Sequence, residues 1–299
     1  MFAPSRLADT ASLKGMALGF AAYSLFAVHD AVVKGIIMEL PVAQILFLRS
    51  LVIVLITLSI GRGAVLTGLR QSPNKHMMLY RTALTLAAWC MYYPGGRYLQ
   101  LAEMTTLYYF APVFTIVLAV IFLGERLTLA RVAAAAIGFF GVVIACNPVG
   151  LSIGWPSLLV LAAAFCWSVA MILMRTISKS ESTLVQTLAI NLCYVIIMGI
   201  ASAFWWQPMD ARSIAFVVIA GLVGGAAQFA LVDAARLVPA GVLGTVEYSA
   251  LIWAFVFGYL FWAEVPSNTV YIGAALITTA GLLLAWNERR RRQTVFEAP

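Results

Sequence analysis

Ten apolar runs, each close to the length of a membrane-crossing helix, take up almost the whole chain. They fall near residues 13–34, 42–60, 77–96, 101–123, 129–147, 155–177, 184–206, 213–235, 241–263 and 269–286, and a hydrocarbon core of about 30 Å takes roughly 20 helical residues to cross. Composition agrees: hydrophobic residues make up 63%, charged residues 10% and the mean hydropathy is +0.96, where a soluble domain carries about a quarter charged residues. The expectation is an all-α integral membrane protein of ten transmembrane helices. The connections are too short for a folded insertion, although 61–76 leaves room for a brief surface helix. The first run is longer than a signal-peptide core and no small-residue cleavage site follows it, so it is expected to stay as a helix.

The net charge of +7 raises the question of nucleic acid, but the basic residues sort by side. If ten helices alternate, Arg6, Lys14, Arg62, Arg70, Lys75, Arg126, Arg131, Arg175, Lys179, Arg236 and Arg289 to Arg292 share one face, and only Lys34, Arg97 and Arg212 reach the other. By the positive-inside rule both termini are cytoplasmic, in a bacterial-type inner membrane. The charge then serves topology and contact with anionic lipid, with no nucleic-acid partner. Cys90, Cys146, Cys166 and Cys193 each lie alone in a different expected helix. They read as packing residues and not as a metal site or a disulfide framework.

The chain also repeats itself. A shift of 139 residues lays RYLQLAEMTTLYYFAPVFTIVLAVIFLGE (97–125) on RLVPAGVLGTVEYSALIWAFVFGYLFWAE (236–264) without a gap, matching Arg97 with Arg236, Thr106 with Thr245, Tyr109 with Tyr248 and Glu125 with Glu264. A shift of 140 aligns 137–147 with 277–287, and one of 141 puts Lys34 on Arg175. Shared apolar composition does not produce such near-constant offsets. The expected units are two five-helix repeats, 1–149 and 150–299, the second ending in a basic cytoplasmic tail. Five is odd, so the second repeat enters the membrane from the opposite side. Inverted halves are an architecture in which a central site opens alternately to either side.

The half-repeat, an apolar helix ending in GER or AE after a segment such as YLQLAEMTTLYYFAPVF, resembles the EamA-type branch of the drug/metabolite transporter superfamily, in particular bacterial amino-acid exporters. Ala111, Pro112, Phe114 and Glu125 carry that pattern; the second half has Leu251 in place of the proline and Ala263 in place of the glycine before Glu264. The resemblance covers nearly the whole chain. It implies export of amino acids, drugs or other small metabolites, and does not choose among them.

Polar residues inside the runs are the candidate site. FAVHDAVVKG (26–35) places His29, Asp30 and Lys34 within two turns, with Asp30 and Lys34 an i,i+4 pair and Arg49 roughly 12 Å down the second helix. A charge alone in hydrocarbon is costly, so these residues face the bundle interior or pair. They form either a structural ion pair or a gating and coupling group of His29, Asp30 and Arg49. Glu247 either faces a cavity, where it binds an ammonium or carries a proton, or snorkels outward. Trp89, Trp167 and Trp253 fall near mid-span, where an interfacial belt cannot account for them. With Tyr92, Tyr109 and Tyr248 they suggest an aromatic-lined substrate cavity, to which Ser168 and Asn191 are expected to add neutral polar groups. Only Arg49 is a candidate for matching a phosphate, which ranks polyanions low.

No paired-histidine metal motif, carboxylate cluster or GxSxG turn is present, and two histidines leave few catalytic options. The expectation is a transporter, not an enzyme, needing no cofactor. Its partners are a small-molecule substrate and the bilayer, with the oligomeric state open and a monomer plausible. The leading substrate class is small neutral or zwitterionic metabolites, amino acids including aromatic ones first. The alternative is proton-coupled export of organic cations through Asp30 or Glu247.

Overall fold

The computed structural model describes the backbone of residues 4–111, 113–114, 118, 129–145, 154–178, 180–237, 243, 246–247 and 249–296. The regular elements among the described residues are all α-helices: α1 Pro4–Lys34, α2 Val42–Gln71, α3 Lys75–Gly95, α4 Leu101–Tyr108, α5 Leu129–Ala145, α6 Trp155–Ile177, α7 Thr183–Ser202, α8 Ala211–Leu237, α9 Ser249–Trp262 and α10 Asn268–Phe296. Five of them hold stretches long and apolar enough to cross a membrane, Leu13–Lys34, Val42–Gln71, Trp155–Met174, Thr183–Ser202 and Ala211–Leu237. Ala136–Ala145 and Ser249–Trp262 are shorter apolar helices. Pro112, Glu125, Thr245 and Tyr248, on which the sequence reading leaned, lie outside the described residues.

Local chemistry sets the helix ends. Pro41 precedes α2, and Pro94 with Gly95 closes the last turn of α3. Proline supplies no N–H and clashes with the preceding turn, which confines it to such positions. The Ser182 hydroxyl accepts the Val185 amide at the start of α7, and an Asp210 carboxylate oxygen accepts the Ser213 amide at 2.8 Å beside the start of α8. α2 runs past the expected boundary to Gln71, interrupted at Arg62 with φ 48 and ψ −146. The brief surface helix expected over 61–76 is thus largely the far end of α2, beyond this break.

The helices pair antiparallel. The α1–α8 pairing brings Lys34 and the following Glu39 to the start of α8, where Arg212 and Ser213 bond Glu39. In α2–α7, Phe47 lies against Gly199 and Gly68 against Val185. In α3–α6, Gly95 meets Val160 while Met78 clusters with Ile177. α5 and α10 cross with Gly138 near Ala280 and Gly141 near Gly273, and α4 packs on α9 and α6. Two ends of the bundle follow. One, the Lys34 end, holds Gln44, Gly95, Leu101, Arg212 and Glu264; the other, the Ser72 end, holds Asn74, Glu181, Thr183 and Arg236.

The main core joins side chains of all ten helices, among them Ile45, Tyr93, Leu107, Ala145, Ala163 and Ile277. Large apolar side chains point outward elsewhere, including Phe20, Leu55, Phe140, Ile200 and Leu260. That inversion of the soluble pattern suits a solvent of lipid tails.

Candidate functional site

The α1 stretch that carries His29, Asp30 and Lys34 splits its charges between two places. Lys34 turns to the bundle end, where its ammonium lies 2.5 Å from Glu264 Oε1, donates to the Leu99 carbonyl at 3.2 Å and sits 5.6 Å from the Trp262 ring. The second Glu264 oxygen accepts the Leu101 amide at 2.9 Å. One carboxylate thereby ties the ends of α1 and α9 to the start of α4. The Asp30–Lys34 pairing that the i,i+4 spacing suggested is replaced by this longer-range pair, because the Lys34 ammonium reaches a carboxylate across the bundle.

Asp30 faces inward instead. Its Oδ1 accepts from His29 Nδ1 at 3.2 Å and its Oδ2 from the Tyr92 hydroxyl at 3.2 Å. On the far side of the imidazole, Arg49 Nη1 lies 2.8 Å from His29 Nε2. An arginine is always a donor, so Nε2 accepts and Nδ1 carries the proton given to Asp30. The order Arg49, His29, Asp30 is a row of donors and acceptors ending on a carboxylate. Arg49 and His29 are fully buried, and the guanidinium stacks 4.8 Å from the centroid of Trp89, a favourable cation–π distance.

Asp30 lines a cavity of about 570 Å³, counted out to its mouth, whose walls include Tyr23, Phe26, Trp89, Tyr92, Tyr108, Tyr109, Trp167 and Glu247. Trp89 is central, with ring centroids 5.9 Å from Tyr92 and 6.5 Å from Trp167. Asp30 and Glu247 are its two ionisable carboxyl side chains, and no lysine or arginine lines it among the described residues. Aromatic faces around two carboxylates make a place for a flat apolar body with a positive group.

A second cavity, of about 440 Å³, lies toward the Ser72 end and shares Phe26, Trp89 and Trp167 with the first. Arg81, Thr85, Thr187, Tyr194 and Gln228 supply its polar lining.

Of the residues expected at the site, Trp89, Tyr92, Tyr109, Trp167, Asp30 and Glu247 meet around the first cavity, with His29 and Arg49 directly behind Asp30. Ser168 is elsewhere: its hydroxyl donates to the Ala111 carbonyl at 2.7 Å and the Ala164 carbonyl at 2.8 Å, joining helices. Asn191 donates to Thr187 O and to Gln228 Oε1, both at 2.9 Å, beside the second cavity. Trp253 donates from its indole to Ser24 at 3.0 Å and stacks on Phe257, packing α9 on α1. Tyr23, Thr105 and Arg81 escaped the sequence reading. An i,i+4,i+8 stripe, Arg81, Thr85, Trp89, was the available signal for the last.

A helical bundle with polar and aromatic cavities inside it, and apolar side chains outside, is the build of a membrane transporter. The chain matches the EamA-like transporter family over residues 13–146 and again over 154–286, and it belongs to that family. It is 31% identical over 186 residues to a riboflavin transporter of Rhizobium johnstonii, the match covering 61% of each chain, which is less than two thirds of that relative's length. It is 25% identical over 195 residues to an S-adenosylmethionine uptake transporter of Rickettsia bellii, covering 64% of this chain and 67% of that one. Identity to the pseudopaline exporter CntI of Pseudomonas aeruginosa is 23% over 273 residues, covering 91% and 95%. A solved crystal structure superposes with a TM-score of 0.67, covering 94% of this chain and 98% of the other. At 18% identity that likeness concerns the fold alone.

Proposed function

We propose that the protein moves small aromatic molecules bearing an amine, amino acids among them, out of the cytoplasm by alternating access about the cavity between Asp30 and Glu247. The observation that carries this is the cavity's make-up: an aromatic wall with two carboxylates and, among its described residues, no lysine or arginine. The relatives' named substrates differ from one another, so the choice rests on the cavity. Proton-coupled export of organic cations is the second reading, favoured by the same two carboxylates, either of which can exchange a proton for a cation.

The architecture proposed is ten transmembrane helices in two inverted repeats, 1–149 and 150–299. The family matches twice in succession. The helix pairs support the inversion: moving every helix five places along turns the α1–α8 pair into α6–α3 and maps α2–α7, α4–α9 and α5–α10 onto themselves. α1 ends at the Lys34 end of the bundle whereas α6 begins there. The Ser72 end, which gathers Arg70, Lys75 and Arg236, is assigned to the cytoplasm by the positive-inside rule.

Counterflow in proteoliposomes tests the substrate class. Vesicles loaded with unlabelled phenylalanine are given labelled phenylalanine, phenethylamine or the neutral analogue 2-phenylethanol, with and without a pH gradient. Saturable uptake of the two amines, reduced at least about tenfold by Asp30→Asn or Glu247→Gln, is expected, since one lost charge-assisted contact in a dry site is worth about 1.4 kcal/mol or more. Equal uptake by the parent and both variants would remove the carboxylates from the site. Uptake of the cation alone, with a gradient, would select the second reading.

A further inference from the structure

We infer that Arg81 forms a carboxylate-binding subsite in the second cavity, so that the transported molecule carries an acid group as well as its amine. This deepens the proposed transport function and rests on it.

Arg81 sits in the second turn of α3, in an expected span, and is 7% exposed. Among the described residues the one hydrogen bond of its guanidinium runs from Nη1 to the neutral Gln186 Oε1 at 2.8 Å, and no carboxylate there lies within ion-pair distance. A guanidinium has five N–H donors. A buried cation without a counter-ion is expensive enough to need a reason, and Gln186 supplies only a dipole. Arg81 is part of the wall of the cavity of about 440 Å³.

Other side chains of the same wall are also waiting for a partner. Thr187 Oγ1 is buried with no hydrogen-bond partner among the described residues, and the Tyr194 hydroxyl, whose neighbour is Thr85, makes no well-formed bond there either; their residues are 2% and 0% exposed. An unmade hydrogen bond at a buried hydroxyl costs about 1–3 kcal/mol. Both residues line the cavity with Arg81, so an anion bound there has one cation and two hydroxyl donors in the surrounding wall. Arg81 is the one lysine or arginine among the described lining residues. One guanidinium matches the single charge and bidentate shape of a carboxylate; a phosphate dianion calls for more.

The two subsites have opposite sign and stand on one face of α3. Arg81, Thr85 and Trp89 line the second cavity, while Trp89 and Tyr92 line the first. From Arg81 to Tyr92, which bonds Asp30, is roughly 16 Å of helix. The amine and carboxylate of one α-amino acid cannot span that, so a compact substrate visits the subsites in turn. Its carboxylate docks at Arg81, and its aromatic body passes between Phe26, Trp89 and Trp167 before the amine reaches Asp30.

Binding to the full-length protein in detergent tests this through tryptophan fluorescence, because Trp89 and Trp167 border both cavities. Phenylacetate, inorganic phosphate and phenethylamine serve as probes. Saturable phenylacetate binding is expected, weakened at least about tenfold by Arg81→Gln and about threefold by Thr187→Val or Tyr194→Phe. Thr187→Val removes a buried hydroxyl that has no hydrogen-bond partner among the described residues, so it keeps the fold even if Arg81→Gln does not, and a purely structural role for these side chains predicts no change in its binding. Phenylacetate affinity equal to the parent in both hydroxyl variants would overturn the subsite, as would the absence of saturable binding. Phosphate binding as well as phenylacetate would overturn its assignment to carboxylates. If phenylacetate behaves as expected while phenethylamine never binds, the amine-transport reading fails and the acid subsite stands.

Discussion

Ala263 holds a backbone conformation that glycine adopts without cost. Its φ is 51, the Ala263 amide donates to Tyr259 O at 3.0 Å and the Glu264 amide to Gly258 O at 3.1 Å, which closes the last turn of α9. A side chain in the left-handed region costs about 1 kcal/mol, and the turn is retained because it aims Glu264 at Lys34. Ala263→Gly is therefore expected to stabilise the protein by about 0.5–1 kcal/mol, the gain being trimmed by the looser unfolded chain; the melting temperature in detergent measures it. The sequence showed that Ala263 replaces the glycine of the family pattern, but only the backbone shows what the exchange costs. At the same scale, the charges in FAVHDAVVKG were legible as unusual and their partners were not. A four-residue spacing proposes Asp30 with Lys34, whereas the partners they take, Tyr92 and Glu264, are 62 and 230 residues away. Arg81 was overlooked because a cation five residues into an apolar run reads as an interfacial side chain.

Helix contacts carry the next set of consequences. A Cβ on Gly221 would lie 2.7 Å from Val52 Cβ and 2.9 Å from the Arg49 carbonyl oxygen, so α8 approaches α2 at the turn that holds Arg49. The backbone oxygen cannot move aside cheaply. Gly221→Leu should cost about 1–3 kcal/mol by overpacking and should lower transport beyond the loss of folded protein, read as uptake per unit of protein eluting as a single species. A small-residue spacing such as Gly221 to Gly225 permits close helix contact, but sequence does not say which helix makes it, since lipid-facing and helix-facing stripes are alike in apolarity. The Lys34–Glu264 pair makes a second element-scale prediction. It bridges the two halves at one end of the bundle, so Lys34→Glu should cut counterflow several-fold, and Lys34→Glu with Glu264→Lys should restore most of it. Failure of the exchange to restore uptake would mean that the pair acts through more than its charge.

Across the whole molecule, the even run of apolar segments made the helical membrane class visible from residues alone. Periodicity reports on burial, and burial in a bilayer follows from length and composition. The site was half legible. Of the aromatic residues expected around a cavity, Trp89, Tyr92, Tyr109 and Trp167 converge, while the mid-span Trp253 packs helices, as does Ser168, because depth along a helix does not reveal which way a side chain turns. Both cavities meet at Phe26, Trp89 and Trp167, and the Lys34 end is drawn together by the Glu264 contacts. A transporter working by alternating access opens that end in another state, at the expense of those contacts.

The most direct measurement is substrate protection of a single thiol in the first cavity. With Cys90, Cys146, Cys166 and Cys193 replaced by serine, Tyr108→Cys would be labelled in proteoliposomes by a membrane-impermeant thiol reagent applied from each side in turn, with and without phenylalanine. Labelling from both sides, slowed from both by phenylalanine, is the predicted result. Labelling from neither side, or labelling that phenylalanine leaves unchanged, would contradict the placement of the transport site between Asp30 and Glu247.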